Sequence, residues 1–506
     1  MNSNKSDMNL AERTFNSATL MIIASVVKQS IGLVSMVVLA RLLSPTDYGI
    51  VAISMLVIHF FDVLAQTGTT QYVLSRKNLH IDALQTAWTL QLTVRGGLAI
   101  LVMLASGTIG EFFETPELQA VLIVSAFVPI LNSLQAPGLM LLRREFDYRS
   151  IALIIVASKI LATIAAVSIA VLLHSYWAFV VGDLVLAASL AAFSYRAHSL
   201  RPRLSLSGWR RQWGFSKWML ARAIVGFTRS KVDNLFVGKL LGATEIGAYS
   251  FSMQIALLPQ EHLTKPLVDI FTSSITRARE DTKSVADTLT KLLATQVSLL
   301  LPIVVATTQL AELLVEVVLG PSWDVAAPIV QALASVSLSV TIAGTLSVAL
   351  VAMERVRLTF AVDVLCSLIV VAVVAFILFG SAELRDLAIG RAALASFIAM
   401  LFYFVVSTLL PLNHLRLVSS ILPAIIASVV MWLAIDKLES GFSNSHGIIR
   451  LLATGSGGML VYAAVYCPIL YLRKNHSPET IYMQKTLNRV IDRLGGLAQS
   501  LVKSKL

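Results

Sequence analysis

The chain has 506 residues, of which 56% are hydrophobic and only 14% are charged. Soluble proteins carry about 25% charged residues, so this composition excludes a soluble globular chain and a disordered one and indicates a membrane protein. The 40 Lys and Arg residues exceed the 29 Asp and Glu residues by 11, an excess that in a membrane chain reflects cytoplasmic loops more often than nucleic-acid binding.

Apolar segments long enough to cross a bilayer recur along the whole chain. A helix needs about 20 residues to span the hydrocarbon core. The first segment, 17–40, is too long for the core of a signal peptide, which has about 7–15 residues, so we expect it to be retained as a transmembrane helix. In chain order we predict helices at 17–40, 47–67, 83–108, 118–141, 150–173, 176–195, 214–238, 246–268, 285–310, 325–350, 358–379, 387–408, 417–436 and 448–472. The predicted fold class is therefore all-α, a polytopic integral membrane protein with about 14 helices.

The predicted helices divide the chain into two lobes and a C-terminal addition. We predict six-helix lobes at 1–195 and 214–410, joined by a basic cytoplasmic linker at 196–213. Helices 13 and 14 occupy 411–472. The tail at 473–506 is basic and loosely amphipathic, so we expect it to lie on the inner leaflet, where anionic lipid attracts it.

The distribution of positive charge predicts the orientation of the chain. With the N-terminus placed inside, 27 of the 40 Lys and Arg residues fall in inner segments and only five fall in outer segments. The outer five are Arg41, Lys239, Arg385, Lys437 and Arg450. Because cytoplasmic loops are enriched in Lys and Arg, we expect both termini to be cytoplasmic. The remaining eight cations lie inside predicted helices.

A short repeat with an offset of 198 residues connects the two predicted lobes. ARLLSPTDYGI at 40–50 matches GKLLGATEIGA at 238–248. Each copy follows a long helix and begins the next one, and the six intervening helices place the copies in parallel orientation, as in lobes related by an axis along the membrane normal. In the first copy, Ser44 and Thr46 are positioned to cap the second helix, and Asp47 lies in its first turn.

The first copy of the repeat also carries a family resemblance. ARLLSPTDYG at 40–49 resembles the first outer turn of the Wzx-like polysaccharide flippases, which belong to the multidrug/oligosaccharidyl-lipid/polysaccharide exporter superfamily. LGPSWDVAAP at 319–328 is similar to the family's Gly-x-x-Trp segment before the tenth helix. The resemblance covers roughly residues 15–475. It implies an inner-membrane transporter that moves polyprenyl-pyrophosphate-linked oligosaccharide units to the outer leaflet, for exopolysaccharide or O-antigen synthesis, by rocking of its two lobes.

The eight cations inside predicted helices are the candidates for substrate contact. A charge within the bilayer is costly unless it faces a partner or a water-filled cavity. Lys28 and Arg229 lie in the middle of the first helix of each lobe, and the resemblance implies that these helices line the central cavity. Fixed cations suit a pyrophosphate, and Arg can bind two oxygens at once. The candidate residues of this cationic cavity are Lys28, Arg95, Arg222, Arg229 and Lys231.

Ion pairing inside the protein is the alternative interpretation of these cations. Arg229 and Asp233 are spaced i, i+4, which places them on one helix face. Lys159 and Asp183 lie on consecutive helices at depths within about 8 Å of each other, by the helical rise of about 1.5 Å per residue. Both pairs therefore remain open to a purely structural role.

Two cations and two acids have no partner that the sequence identifies. No acid near Lys28 or Arg95 is evident from the order of residues. Asp62 and Asp363 are acids within predicted helices, and such acids carry protons or ions in many transporters. Asp62 and Asp363 are therefore candidates for ion coupling.

Other function classes fit the sequence less well. The chain has no Gly-x-x-x-x-Gly-Lys-Ser/Thr loop for an ATP-driven pump, and a polysaccharide polymerase or ligase would need a larger outer loop. A multidrug exporter of the same superfamily would favour an acid in the first helix, where this chain has Lys28. The chain is thus predicted to be a transporter rather than an enzyme.

The expected cofactors and partners follow from these choices. Cys366 and Cys467 lie in apolar runs without disulfide or metal spacing, so we expect neither a metal nor another cofactor. The expected partners are lipid-linked oligosaccharide, membrane lipids, and polysaccharide polymerase, chain-length or export proteins, with no nucleic acid.

Overall fold

The computed structural model describes residues 3–65, 81–144, 148–207, 209–278, 281–380, 383–442 and 446–472. The predicted cytoplasmic tail at 473–506 lies outside these residues. Within them the chain is helical, with no β-strand, which confirms the predicted all-α class. Contacts between Cα atoms separate the chain into two compact units.

Unit 1 comprises Met1–Ser250, Val318–Ser322 and Ser367–Ala382. Among its described helices, three short ones separate two groups of long ones, and most of the long helices are apolar enough to span a membrane. Within the described residues they are α1 (Ser3–Leu42), α2 (Pro45–Leu64), α3 (Ile81–Phe112), α4 (Glu117–Ser125), α5 (Phe127–Ser133), α6 (Gly138–Arg144), α7 (Tyr148–Leu173), α8 (Trp177–Ala197), α9 (Trp209–Leu240) and the first part of α10 (Ala243–Pro259).

Unit 2 comprises Phe251–Val317, Trp323–Cys366 and Glu383–Leu506. After α10, a π-helical turn at Gln260–Thr264 leads into the next helix. The described helices are α11 (Lys265–Arg277), α12 (Thr282–Gln309), α13 (Ala311–Val318), α14 (Ala326–Leu333), α15 (Val336–Ala352), α16 (Val356–Gly380), α17 (Leu384–Leu409), α18 (His414–Gly441) and α19 (Gly447–Leu472). The unit boundary divides α16 between the two units.

Eleven helical stretches of the described chain are long and apolar enough to cross a membrane. They coincide with eleven of the fourteen predicted segments and establish a polytopic membrane protein. The other three predicted segments are 118–141, 214–238 and 246–268. The middle one belongs to the continuous but more polar helix α9, whereas the other two are interrupted. The count of fourteen therefore stays a prediction.

A proline lies at a break in each of the two interrupted segments. The segment 118–141 is divided into α4, α5 and α6, and Pro137 stands before α6, where it lacks an N–H group and disfavours helical geometry at Ala136. Outside the helix, the N–H of Ala136 donates to Ser194 Oγ at 2.8 Å. In the segment 246–268, Pro259 ends α10 and the π-helical turn follows it directly.

Small residues let the helices of each unit pack closely. In unit 1, a Cβ on Gly182 of α8 would lie 3.0 Å from Ala166 Cβ of α7. In unit 2, a Cβ on Gly458 of α19 would lie 2.9 Å from Ile435 of α18. Close approach of this kind is how membrane helices associate without a hydrophobic driving force.

The first part of the predicted linker is an extended segment held against α3. Gln85 donates from Nε2 to the carbonyl of Arg201 at 3.0 Å and accepts at Oε1 from the N–H of Arg203 at 2.6 Å. Thr86 Oγ1 donates to the carbonyl of Ser207 at 2.8 Å. These buried side chains fix the start of the linker on unit 1. The predicted lobe boundaries themselves stay a prediction.

Candidate functional site

The two copies of the sequence repeat touch each other in unit 1. Thr46 Oγ1 lies 2.8 Å from Thr244 Oγ1, and these residues occupy the same position of the repeat. A Cβ on Gly49 would lie 1.6 Å from the carbonyl oxygen of Ala243, and a Cβ on Gly247 would lie 1.9 Å from that of Pro45. Each contact has its counterpart 198 residues away. The repeat turns therefore form a locally symmetric contact in which only glycine fits at the two close approaches.

The first repeat turn has the predicted cap. Ser44 Oγ accepts from the N–H of Asp47 at 3.2 Å, while Asp47 Oδ2 accepts from the N–H of Ser44 at 3.0 Å. This reciprocal pair is a capping box that begins α2. The second oxygen of Asp47 accepts from the N–H of Tyr176 at 3.1 Å. The cap thus also fixes the start of α8 beside the turn.

The matched cations of the repeat, Arg41 and Lys239, reach different partners. Arg41 Nε donates to the carbonyl of Val318 at 3.2 Å, and Lys239 Nζ donates to Glu114 Oε1 at 2.7 Å. The hydrogen bond and charge of Lys239 hold the pKa of Glu114 below its usual range. A cavity of about 370 Å³ opens beside this ion pair, lined in part by Thr46 and Glu117. We call this side of unit 1 the repeat end.

Lys28 has a second lysine beside it. It lies on an exposed part of α1, 14 residues before Leu42, which places it about 21 Å from the repeat end. The Lys159 side chain passes over Gly32 of the same helix, with Cε 3.8 Å from the position of a Cβ there. Lys159 interacts electrostatically with both Lys28 and Asp183. The predicted proximity of Lys159 to Asp183 is confirmed, and the cluster keeps one positive charge in excess.

Arg95 of α3 and Asp62 of α2 form an ion pair. Arg95 Nε lies 3.4 Å from Asp62 Oδ1, and the two side chains are 24% and 31% exposed. Neither of these atoms makes a hydrogen bond within the described structure. The sequence offered no acid for Arg95, yet both residues lie 17 residues from the repeat end of their helices, at about 26 Å depth. Counting residues from the ends of the two helices therefore predicts Asp62 as the partner of Arg95.

The cations of α9 lie closer to the repeat end. Arg229 and Lys231 are 11 and 9 residues before Leu240, at about 17 and 14 Å depth. Two residues before Arg229, Phe227 packs against His59 of α2 with ring centroids 5.8 Å apart. This contact places the cationic stretch of α9 alongside α2.

The acid on the same stretch of α9 is buried. Asp233 is 1% exposed and accepts a hydrogen bond from Tyr249 of α10 at 2.8 Å. The remaining candidate cation of α9, Arg222, has a side chain that lies outside the described residues. Of the five predicted cavity residues, Lys28, Arg95, Arg229 and Lys231 are therefore placed on described helices of unit 1.

The two candidates for ion coupling belong to different units. Asp62 is part of unit 1 and is paired with Arg95. Asp363 lies on α16 within unit 2 and is 7% exposed. The coupling role of each stays a prediction.

The sequence and the fold match known membrane proteins. The family model described as polysaccharide biosynthesis protein matches residues 38–328, more than half of the chain. The lipopolysaccharide biosynthesis protein WzxC of Escherichia coli (strain K12) is 25% identical over 367 residues, which cover 71% of this chain and 73% of that protein. The succinoglycan biosynthesis transport protein ExoT of Rhizobium meliloti (strain 1021) is 25% identical over 312 residues, 60% of this chain and 61% of that protein.

A solved structure shares the fold. The lipid II flippase MurJ, in an inward closed conformation, superposes with a TM-score of 0.72 at 15% sequence identity. The superposition covers 90% of this chain and 99% of MurJ. The helical fold thus extends over nearly the whole of a known flippase.

Proposed function

The chain belongs to the polysaccharide biosynthesis protein family, and we propose that it is a flippase for polyprenyl-pyrophosphate-linked oligosaccharide units. The names of ExoT and MurJ, a transport protein and a flippase, support transport rather than enzyme chemistry. The resemblance to Wzx-like flippases inferred from the repeat turn is confirmed by the family match. The protein is a multi-pass protein of the inner membrane.

The observation that carries this proposal is the pair of lysines at mid-depth in unit 1. Lys28 and Lys159 interact electrostatically, and Asp183 balances only one of them. Two like charges within a membrane span are costly unless a water-filled cavity or an anion compensates them. An anionic pyrophosphate-sugar head group supplies that compensation, whereas a cationic drug would be repelled. The charge of this site therefore favours the oligosaccharide cargo over the multidrug alternative.

The proposed mechanism is alternating access. The cationic residues Lys28, Arg95, Arg222, Arg229 and Lys231 take the pyrophosphate head group while the polyprenyl chain stays in lipid. The contact between the repeat turns closes one side of the substrate path, and separation of the turns opens it. Export ends with delivery to polysaccharide polymerase and chain-length or export proteins, which we propose as partners.

We also propose the predicted topology. The inner segments hold 27 of the 40 cations, so both termini face the cytoplasm and fourteen helices form two lobes at 1–195 and 214–410 with two further helices. The repeat end then faces the outer leaflet. Asp62 or Asp363 carries the coupling ion.

Charge reversal at the two central cations tests the cargo assignment. Lys28→Glu and Arg229→Glu are each expected to reduce surface polysaccharide strongly in a strain that lacks its own flippase, while the variants still insert into the membrane. Lys28→Arg keeps the charge and is expected to retain export. Arg385→Glu reverses an exposed cation of α17 and serves as the matched control. Normal export by both reversed variants would contradict the cationic site.

A further inference from the structure

A second cavity, of about 250 Å³, lies in unit 2 where α12 and α18 begin. Lys283, Asp287, Asn413 and Arg416 are among the residues that line it. Arg416 Nη1 donates to Asp287 Oδ1 at 3.0 Å, and the backbone N–H of Arg416 donates to Asn413 Oδ1 at 3.0 Å. These bonds fix a guanidinium group from α18 against a carboxylate from α12, in the wall of the cavity.

The charge of this cavity suits a small anion. Among the described side chains that line it, Lys283 and Arg416 are cationic and Asp287 is anionic, so the lining has one more cation than acid. The volume lies below the roughly 300–1,000 Å³ of pockets that hold drug-sized ligands. A group with one negative charge therefore fits both the charge and the size, whereas a pyrophosphate-linked sugar exceeds both.

An apolar surface begins next to the cavity. On α18, Leu415 is 84% exposed, and Val418, Ile425 and Val429 are also exposed. Their spacing of three, seven and four residues places them along one side of the helix. In a membrane-spanning chain this side meets acyl chains, so the cavity lies at the level of the lipid head groups, where basic pockets between helices bind anionic lipid.

We propose that this cavity binds the phosphate of an anionic glycerophospholipid such as phosphatidylglycerol. The single negative charge of that phosphate matches the one excess cation of the lining, and the acyl chains lie along the exposed side of α18. Because Lys283 belongs to α12 and Arg416 to α18, the bound lipid holds the two helices together at their first turns. In the topology given under the proposed function, this cavity lies in the cytoplasmic leaflet. The assignment of the leaflet rests on that proposed topology.

Lipid binding by the purified full-length protein tests this site. The probe is phosphatidylglycerol, titrated into protein in phosphatidylcholine nanodiscs and counted by native mass spectrometry. Lys283→Gln leaves the Arg416–Asp287 ion pair intact and is expected to weaken binding about fivefold. The double variant with Arg416→Gln is expected to weaken it roughly 25-fold. Raised salt is expected to weaken binding to the parent protein more than to the double variant.

The control removes the same amount of charge elsewhere. Arg355→Gln with Arg357→Gln neutralises two exposed cations at the start of α16, and phosphatidylglycerol binding is expected to stay at the parent level. Equal weakening in the control and in the double variant would overturn the proposal, as would unchanged binding in the Lys283 variant. Displacement of the lipid by millimolar inorganic phosphate would show a free-anion site and overturn the lipid assignment.

Two further readouts separate this proposal from the flippase proposal. The number of bound lipids is measured independently of export. If the Lys283 variant binds lipid normally, the cargo assignment is unaffected. If Lys28→Glu exports normally, the lipid site is unaffected. Lys283→Cys, in a chain whose native cysteines are replaced by serine, is expected to react with an impermeant maleimide only from the cytoplasmic side of sealed vesicles. Reaction only from the other side would overturn the assigned leaflet.

Discussion

Gly49→Ala is expected to force the two repeat turns apart. The added Cβ would lie 1.6 Å from the Ala243 carbonyl oxygen and 2.5 Å from its carbon, so backbone must move by nearly 2 Å to reach ordinary contact. A shift of that size also breaks the hydrogen bond between Thr46 and Thr244, which is 2.8 Å long. Overpacking costs about 1–3 kcal/mol, and the lost hydrogen bond adds about 1 kcal/mol. The state in which the turns meet is therefore disfavoured by a factor of roughly 30 to 1,000.

Disulfide formation between the turns measures this change. Thr46→Cys with Thr244→Cys, in a chain without native cysteines, places two thiols where two hydroxyl groups are now in contact, and rapid cross-linking is expected. Adding Gly49→Ala should slow cross-linking by at least tenfold and reduce export in the uncross-linked protein. Gly344→Ala is the control, because a Cβ there meets no heavy atom within 4 Å. Cross-linking of the Gly49 variant at the parent rate would refute the close approach.

Three other predictions concern individual charges. Arg95→Glu with Asp62→Arg reverses the ion pair. It is expected to recover the unfolding temperature lost in Arg95→Glu alone but not export, because the cation that binds the cargo has moved to another helix. Full recovery of export would contradict a binding role for Arg95. Asp363→Asn is expected to remove the dependence of transport on an ion gradient in proteoliposomes, and an unchanged dependence would exclude it as the coupling acid. Since Lys239 lowers the pKa of Glu114, that pair stabilises the fold above the ordinary Glu pKa of 4.5 and loses this contribution as pH falls through the lowered value. The unfolding temperature of Glu114→Gln should therefore change less than that of the parent between pH 5 and about 3.

Hydropathy and the repeat predict most of the architecture, because each is visible in short stretches of the sequence. Apolar runs of about 20 residues have few alternatives to a membrane helix, and eleven such stretches are present in the described chain. The sequence also predicts the break at Pro137, because proline disfavours helical backbone angles at the residue before it. The apolar character of 118–141 by itself predicts a continuous helix, which the structure shows to be wrong because the segment is divided into α4, α5 and α6.

Contacts between distant segments were harder to predict. The offset of 198 residues identified the two repeat turns, but hydropathy carries no information on whether they meet. The matched glycines Gly49 and Gly247 were the available signal, because a glycine retained in both copies marks a close approach of backbone. No feature of the sequence predicts the pairing of Lys239 with Glu114. The two residues lie in different turns, and many other exposed acids lie at a similar depth.

Charge balance separates the candidate cations into two groups. Arg95 is neutralised by Asp62. This pair lies about 26 Å from the repeat end and adds no net charge to unit 1. The cluster of Lys28, Lys159 and Asp183 keeps one positive charge at about 21 Å. The excess positive charge of this cluster thus lies nearer the repeat end than the Arg95–Asp62 pair does.

The stretch of α9 supplies the second excess charge. Arg229 and Lys231, with Asp233 one turn beyond, add one net positive charge at about 14–17 Å from the repeat end. A cargo whose pyrophosphate carries at least two negative charges is matched by these two clusters together and by neither alone. Reversal at Lys28 combined with reversal at Arg229 should therefore impair export no further than the stronger single variant, because loss of either cluster already leaves the cargo unbalanced. Export losses that multiply in the double variant would instead indicate two independent sites.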